Sequence, residues 1–593
     1  MKELEYPFDS NLILRKKKEF KRFLLENENL RNSKVLKIAI LGGSTTIEIK
    51  NVLELFLLNQ EVAVEFYESE YNRFYEDGMF SNEILDAFCP DIAVICTSTH
   101  NIANWPELSD SKNEVERKLN DEYNRFESVW NALTQRFHCS IIQANMEIPI
   151  QRIMGCMESS DFHGRVNFVT RLNQQFYEYS QSNSNFYIHD INSLSAEFGL
   201  SRWHNQRHWD LYKCAQSIDA IPAYAYQLAS IILAIRGKTK KVIVLDADNT
   251  LWGGVIGDCG VEKISLGPET AKGQSFLEWQ KYLKCLKDRG IILLIASKNE
   301  HKSVIAGLSH PNSVLKISDF TAMAVDWNDK ASNIKELAKR INISTDQMVF
   351  IDDNPVERAF VKENVEGIVV LEANAPDEFI TALQDGHYLE AVSFSTEDIK
   401  RTEMYHENLK REDAKKQFAD YDSFLRSLNM KAEIVPFEKV NYERIAQLSN
   451  KTNQFNLTGR RFSVAEVATL ADDKNWICLS GKLTDRFGDN GIVCLLFAEC
   501  IENTAVIRNF LMSCRVFERG MEYAMMNFFI DECRARNIAK VEADYVLSEK
   551  NTPVKDLYKR MGFSSKNEND DRIKHWSLEL DSYMPHKNYI EVN

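Results

Sequence analysis

The sequence predicts an α/β chain of three domains, two built on parallel sheets and a third of α+β pattern. Three observations carry that expectation. Short apolar runs alternate with helix-length segments from "VLKIAILGG" through "GIVVLEA", the mark of βαβ units. The alternation then gives way to clustered strands. At 593 residues the chain also exceeds what a single hydrophobic core organises.

Residues 1–33 read as a charged helical lead-in that includes "RKKKEFKRFLLENENL". The runs "VLKIAILGG", "EVAVEFYES", "DIAVICTST", "CSIIQANM" and "NFYIHDI" are the strands of a first α/β domain, 34–236, closed by the helical "LYKCAQSIDAIPAYAYQLASIILAIRG". A second α/β domain, 240–388, has strands at "VIVLDAD", "GIILLIASK", "QMVFIDD" and "GIVVLEA". Parallel sheets of this kind hold ligands at the C-terminal ends of their strands. A helical connector, 389–428, leads to the third domain, 429–593. That domain runs strand, helix, several strands ("NWICLSGKL", "GIVCLLFAEC", "TAVIRNFLM"), a long helix, "KVEADYV", a helix and a final strand.

Lys and Arg number 72 against 87 Asp and Glu, a formal charge of −15, with no basic tract long enough to follow a phosphate backbone. Nucleic acid is therefore not an expected partner. The twelve cysteines are scattered without a C-x-x-C pair, which fits reduced thiols in a cytoplasm better than a disulfide framework or a zinc site. No apolar run approaches the roughly 18 residues of a membrane helix, and "MKELEYPFDSN" lacks the charged start and apolar centre of a signal peptide. Neither a membrane span nor secretion is expected.

The chemistry concentrates in "KVIVLDADNTLWGGVIGDCG", where an apolar strand ends in Asp246 and Asp248. An aspartate at a strand's end can act as a nucleophile, and a second one two positions on can exchange protons with leaving and attacking oxygens. Carboxylates that close repel unless a cation lies between them, so the pair points to Mg²⁺ and phosphate. The same stretch also reads as exposed turn carboxylates with Asn249 as a helix cap. Three later features favour the chemical reading. "LLIASKN" sets Ser297 and Asn299 just past the next strand, where they can hold a phosphoryl oxygen. "DWNDKASNIKEL" puts Lys330 at a helix start, a cation for phosphate. "VFIDDNPVERA" ends another strand in Asp352 and Asp353, able to complete a metal site. The 22 positions from Lys330 to Asp352 leave no room for an inserted cap domain, and only a flap fits after Thr250. The pocket is expected to be open, which favours a large or protein-carried substrate, or an intermediate passed between domains.

This order of aspartate pair, Ser, Lys and acidic pair resembles the haloacid dehalogenase (HAD) superfamily. "LDADNTLWGGVIGDCG", "DWNDKASNI" and "FIDDNPVERA" resemble its FkbH-like branch. The resemblance implies a capless HAD-type domain in which Asp246 is the nucleophile and forms an aspartyl phosphate. Asp248 is the general acid/base, also offering its carbonyl to Mg²⁺. Ser297, Asn299 and Lys330 are phosphate-binding, and Asp353 is a direct metal ligand with Asp352 in support.

"LSNKTNQFNLTGRRF", "DRFGDNGIVCLL" and "FLMSCRVFERGMEYAMM" resemble an N-acetyltransferase-like fold and the C-terminal part of FkbH-like proteins. Arg515 and Gly520 match that fold's pyrophosphate loop, but Glu518 stands where a glycine belongs, which argues against ordinary acetyl-CoA use. Cys514, beside Arg515, is a candidate to carry an acyl group as a thioester, or else a small core cysteine. Asn453, Asn456, Arg460, Arg461, Asp485, Arg486, Asn490 and Arg515 are candidate substrate contacts by resemblance; as bare sequence, most read as turn and loop residues. In the first domain, "ILGGSTT" sets Ser44 after the first strand, as in SGNH-type hydrolases. The candidate base is His208 in Asn205-x-x-His208, with Asn for the usual Asp, although His204 and His208 can equally be polar residues flanking a helix. A degenerate, binding domain is favoured over an active esterase.

The resemblance implies a Mg²⁺-dependent phosphatase and glyceryltransferase. It would dephosphorylate a phosphorylated three-carbon donor such as 1,3-bisphosphoglycerate at Asp246 and pass the glyceryl group to an acyl carrier protein or a biosynthetic intermediate. The alternatives are a plain sugar-phosphate phosphatase in polysaccharide assembly and a non-catalytic biosynthetic scaffold.

Overall fold

A computed structural model of the chain describes residues 1–28, 30, 35–452, 454–548, 551–565 and 573–593. The chain divides into two compact units, Met1–Ile235 with Ser463–Glu466, and Arg236–Phe462 with Val467–Asn593.

The first unit opens with α1 (Ser10–Leu25), which is not a free lead-in. Its apolar face, Ile13, Phe20 and Leu24, is buried in the unit's own core. Strands β1 (Leu36–Gly42), β2 (Val64–Glu68), β3 (Ile92–Cys96), β4 (Ser140–Ala144) and β5 (Phe186–His189) form an all-parallel sheet in the order β2-β1-β3-β4-β5. Helix α2 (Ile47–Asn59) follows β1, and α3 (Ile221–Ile235) closes the unit. The segment Ile218–Ile235 is apolar and long enough to cross a membrane, which corrects the expectation that no such run exists. Its Tyr224, Leu228 and Ile232 are spent on packing in the core shared with α1 and α2.

In the second unit, β6 (Val242–Leu245), β7 (Ile292–Lys298), β8 (Phe320–Asp326), β9 (Met348–Ile351) and β10 (Val369–Val370) make a second all-parallel sheet ordered β10-β9-β6-β7-β8. Strand β8 escapes a hydropathy reading because only its first half is buried. Helix α4 (Lys330–Ile341) follows β8. The chain leaves β6 for β7 on one side and returns to β9 on the other, so β6 ends at a switch point where α/β sheets bind ligands.

The segment expected to be a connector is part of this unit's interior. Helix α5 (Arg401–Lys415) packs against β8 and α4 and also against the strand Gly488–Ile501 of the next sheet. Its Tyr405 and Leu409 belong to the core under the parallel sheet. The third expected domain therefore shares one compact unit with the second. Its strands are β11 (Met430–Pro436), β12 (Trp476–Asp485), β13 (Gly488–Ile501), β14 (Thr504–Met512), β15 (Lys540–Val546), β16 (Ser564–Ser565), β17 (Ile573–Glu579) and β18 (Ile590–Val592). They form a mixed sheet ordered β16-β17-β15-β14-β13-β12-β11-β18, parallel at β14/β15 and β11/β18. Between them α6 (Tyr442–Lys451) follows β11 and α7 (Met521–Ala535) follows β14.

Candidate active site

Strand β6 is buried along its whole length, and the Asp246 amide extends the ladder by donating to the Ile351 carbonyl at 3.0 Å. Asp246 is thus held on a rigid edge, 7% exposed. The chain then reverses through Asn249 at φ 54°, a left-handed position that Asn tolerates. The Asn249 side chain accepts from the Gly254 amide at 2.8 Å, so it ties down the flap instead of capping a helix.

Asp248 is positioned by three donors. Its Oδ1 accepts from Trp252 Nε1 at 2.9 Å and the Ile256 amide at 3.0 Å. Its Oδ2 accepts from Asn299 Nδ2 at 2.9 Å. Burial, with the charges of Asp246 and Asp258, pushes the Asp248 carboxyl above the ordinary carboxylate range despite those bonds. A carboxyl that keeps its proton to higher pH is suited to protonate a leaving oxygen. Trp252 fits because position 307 is glycine: a Cβ there would lie 2.7 Å from its ring. Asn299 was expected to hold phosphate, but the structure commits one of its amide protons to Asp248. Ser297, by contrast, is buried at the end of β7.

Lys330 is the first residue of α4, whose N-cap Asp329 accepts from the Ser332 amide. The lysine is 4% exposed, and its Nζ lies 3.1 Å from Asp246 Oδ1 and 2.6 Å from Asp352 Oδ2. Burial opposes its charge, but the two aspartates hold its pKa above the ordinary lysine value. The other Asp352 oxygen accepts from the Asn354 amide at 2.9 Å. Arg358 fixes this turn by donating to the Asp352, Asp353 and Ala373 carbonyls at 2.8 to 2.9 Å. Arg358 and Trp252 were missed in the sequence, although one stands three residues after the proline of "DDNP", in the first turn of the helix Pro355–Asn364, and the other four residues after Asp248.

Carboxylate oxygens of Asp246, Asp352 and Asp353 lie within 4.8 Å of one another. Burial and then the charge of Asp246 push both Asp352 and Asp353 upward. Beyond the Lys330 ion pair, Asp246 Oδ1 has no hydrogen-bond donor. An oxygen-only donor set, two of its carboxylates buried and the third half-buried, with one lysine for three carboxylates fits a hard divalent cation such as Mg²⁺.

The other candidate residues are not part of this site. Cys514 lines a cavity with Lys241, Ile292 and Gln347, residues at the starts of β6, β7 and β9. It therefore lies at the edge of the sheet opposite Asp246, about 16 Å away by strand rise. Burial pushes its thiol up despite Lys241 and Arg515, against the expectation of a favoured thiolate. Asp485 is not open to substrate: it forms a buried bidentate pair with Arg411 at 2.8 Å and a second contact with Arg519 at 3.2 Å. Asp485→Ala should cost about 3–5 kcal/mol, because it leaves the buried Arg411 with only the longer Glu407 contact at 3.5 Å and takes the carboxylate from Arg519; an unchanged urea midpoint would show the pair is not structural. Asn456 is buried and closes a turn, accepting from the Gly459 amide at 2.9 Å. Asn490 is buried and donates to the Leu483 carbonyl. Arg460 stacks over Phe462 and Arg486 over Phe487. Asn453 lies outside the described residues. Glu518 takes φ 62°, so it keeps the backbone shape of the missing glycine while adding a carboxylate.

In the first unit, Ser44 is buried after β1, and Asn101 donates to the Gly43 carbonyl beside it at 2.8 Å. The Asn205 side chain accepts from the His208 backbone amide at 3.1 Å. The N-x-x-H spacing is thus a helix cap and does not orient the imidazole. Among the described residues no hydrogen bond joins Ser44 to His208.

The acid role expected of Asp248 from the sequence carries a pH signature that can be checked. Its raised pKa should put the alkaline limb of kcat/KM above the ordinary carboxylate range, because the reactive form loses its proton only there. Asp248→Asn should remove that limb, as read from a pH–rate profile; a limb that persisted would assign it to another group.

Residues 37–233 match the family model of the FkbH N-terminal domain. The chain is similar to the N-terminal part of protein BF1531 from Bacteroides fragilis, which contains a phosphatase domain complexed with Mg. Identity is 30%, the TM-score is 0.58, and the match covers 64% of this chain and 99% of that one. A further match is the ribosomal-protein-S18-alanine N-acetyltransferase from Escherichia coli, 16% identical over 26% of this chain and 97% of that one, with a TM-score of 0.21. The GNAT domain of S. lividans PAT is 14% identical over 25% of this chain and 89% of that one, again at 0.21. Among curated proteins none matches.

Proposed function

The chain belongs to the FkbH-like family, and on that premise we propose that it is a Mg²⁺-dependent phosphatase of HAD type acting on a phosphorylated three-carbon donor. The observation that carries this reading is the convergence of Asp246, Asp248, Lys330, Asp352 and Asp353 at the C-terminal ends of β6 and β9 and the start of α4. The relative's phosphatase domain with Mg supports it.

Asp246 attacks phosphorus, and the ester oxygen leaves with the proton of Asp248. Water then attacks the aspartyl phosphate while Asp248 takes its proton, which frees phosphate and restores Asp246. Lys330 holds Asp246 and offsets charge on the phosphoryl oxygens. Bound Mg²⁺, held by Asp246 and Asp353 with Asp352 in support and by the Asp248 carbonyl, would neutralise phosphoryl charge during transfer.

With a donor such as 1,3-bisphosphoglycerate, hydrolysis of the acyl phosphate would discard the activated bond. We therefore assign Asp246 to the ester phosphate. The acyl phosphate is left for attack by a thiol, with phosphate as leaving group. The opposite-edge location of Cys514 and its raised thiol favour an external acceptor, a carrier-protein thiol in the cytoplasm, over an acyl group resting on Cys514. The test incubates the enzyme, Mg²⁺ and the donor with and without a carrier protein, following phosphate and intact masses. Glyceryl mass on the carrier supports transfer. Free phosphate with both proteins unmodified supports the plain phosphatase. A glyceryl adduct on the enzyme that is lost in Cys514→Ala would restore the cysteine route.

A further inference from the structure

The cavity at the opposite edge of the parallel sheet has a volume of about 140 Å³, well below the roughly 300–1,000 Å³ of a pocket for a drug-sized molecule. Its lining is strongly cationic. Lys241, Arg401, Arg444, Lys451 and Arg515 face it, against Glu397 and Asp398. The two carboxylates are already shared out. Asp398 pairs with Arg401 and lies 3.6 Å from Lys451, and Glu397 lies 2.6 Å from Arg444.

What remains is positive. The Arg444 side chain is 14% exposed, and its Nε is buried with no acceptor. Arg515 donates to Ser513 Oγ at 3.2 Å and to the Met404 sulfur at 2.6 Å, both neutral acceptors. Among the described residues it has no carboxylate within ion-pair distance. The five cations come from the residue before β6, α5, α6 and the turn after β14, elements distant in sequence that converge on one small space.

We propose that this cavity is a second oxyanion site, separate from the Asp246 site, that takes a group of phosphate size and charge. Guanidinium groups suit tetrahedral oxyanions because they donate in a planar fork, and Ser513 adds a hydroxyl to the lining. Burial, with the like charges nearby, lowers Lys451 to about 7 and Arg444 to about 10, and an anion would offset that crowding. The site does not depend on which donor is handled at Asp246. Two sources share the chemistry: free phosphate released at the other edge, and the phosphate end of a small ester.

Cys514 lines the same cavity, so its alkylation reports occupancy. The full-length protein, free of metal, is treated with iodoacetamide, and the Cys514 peptide is followed by mass. Inorganic phosphate should slow its alkylation, about 11-fold at ten times the dissociation constant. Lys451→Met and, separately, Arg444→Gln should each weaken that protection about tenfold or more, with the rate in the absence of phosphate unchanged. Lys330→Met, followed below the temperature at which the metal-free variant melts, should keep the protection. 3-Phosphoglycerate as a second probe separates the sources: protection by it admits an ester end, and its failure where phosphate succeeds restricts the site to the free anion. The proposal is overturned if neither probe protects Cys514. It is equally overturned if protection survives Lys451→Met and Arg444→Gln but is lost in Lys330→Met, since the anion would then act from the Asp246 site.

Discussion

Asp246→Asn should lower phosphate release by about 10⁴-fold or more while the protein stays folded. The amide has the carboxylate's shape but no anionic oxygen with which to attack phosphorus. Lys330 retains Asp352 at 2.6 Å as a partner, so no buried cation is orphaned. The substitution also removes a charge that pushes Asp352 and Asp353 upward. That has a sign in the stability–pH curve. A carboxyl whose pKa is raised on folding binds its proton in the native state first, so metal-free wild type gains stability as pH falls through the raised values. Asp246→Asn should show a smaller gain and an equal or higher Tm near neutral pH. Phosphate release and thermal melts in EDTA measure both, and surviving phosphate release would remove Asp246 as the nucleophile.

The main chemistry was legible because each group stands at the end of an apolar strand or the start of a helix, where local pattern fixes position. Asp246, Asp352 and Asp353 needed only strand ends, and Lys330 only the start of α4. What sequence could not supply was the choice among partners for one side chain. Asn299 satisfies a phosphate-binding reading and an Asp248-positioning reading equally, and only the fold brings its amide to 2.9 Å from Asp248. Asn205-x-x-His208 has the spacing of a catalytic pair and of a helix cap, and the backbone amide took the bond. Asp485 does lie in a turn, accepting from the Phe487 amide at 2.8 Å. Its main partner, Arg411, is 74 positions away, beyond any local pattern. Cys514 was read beside Arg515, but its environment is set by α5 and by the first residues of the parallel strands. The mixed sheet and the parallel sheet share a compact unit for the same reason: α5, charged enough to read as a connector, buries Tyr405 and Leu409.

Lys330→Met is expected to have the largest effect on stability. At 4% exposure the lysine lies beside Asp246 and Asp352, and among the described residues no other cation is within ion-pair distance of either. Removing one partner of a buried ion pair typically costs about 3–5 kcal/mol, because the charge left behind remains desolvated. Here Asp246, Asp352 and Asp353 would face one another with no protein cation between them. In EDTA the variant should melt well below wild type. Mg²⁺ should raise its Tm by more than it raises that of wild type, since the ion then supplies all the compensating charge. Activity with Mg²⁺ should still fall about 10²–10³-fold, because the lysine's charge near the phosphoryl oxygens is not replaced. The paired readout separates two roles that one measurement would merge. A variant as stable as wild type in EDTA would mean that the carboxylates hold protons in place of a counterion. A variant that regained both stability and full activity with Mg²⁺ would reduce the lysine to a spacer between the aspartates.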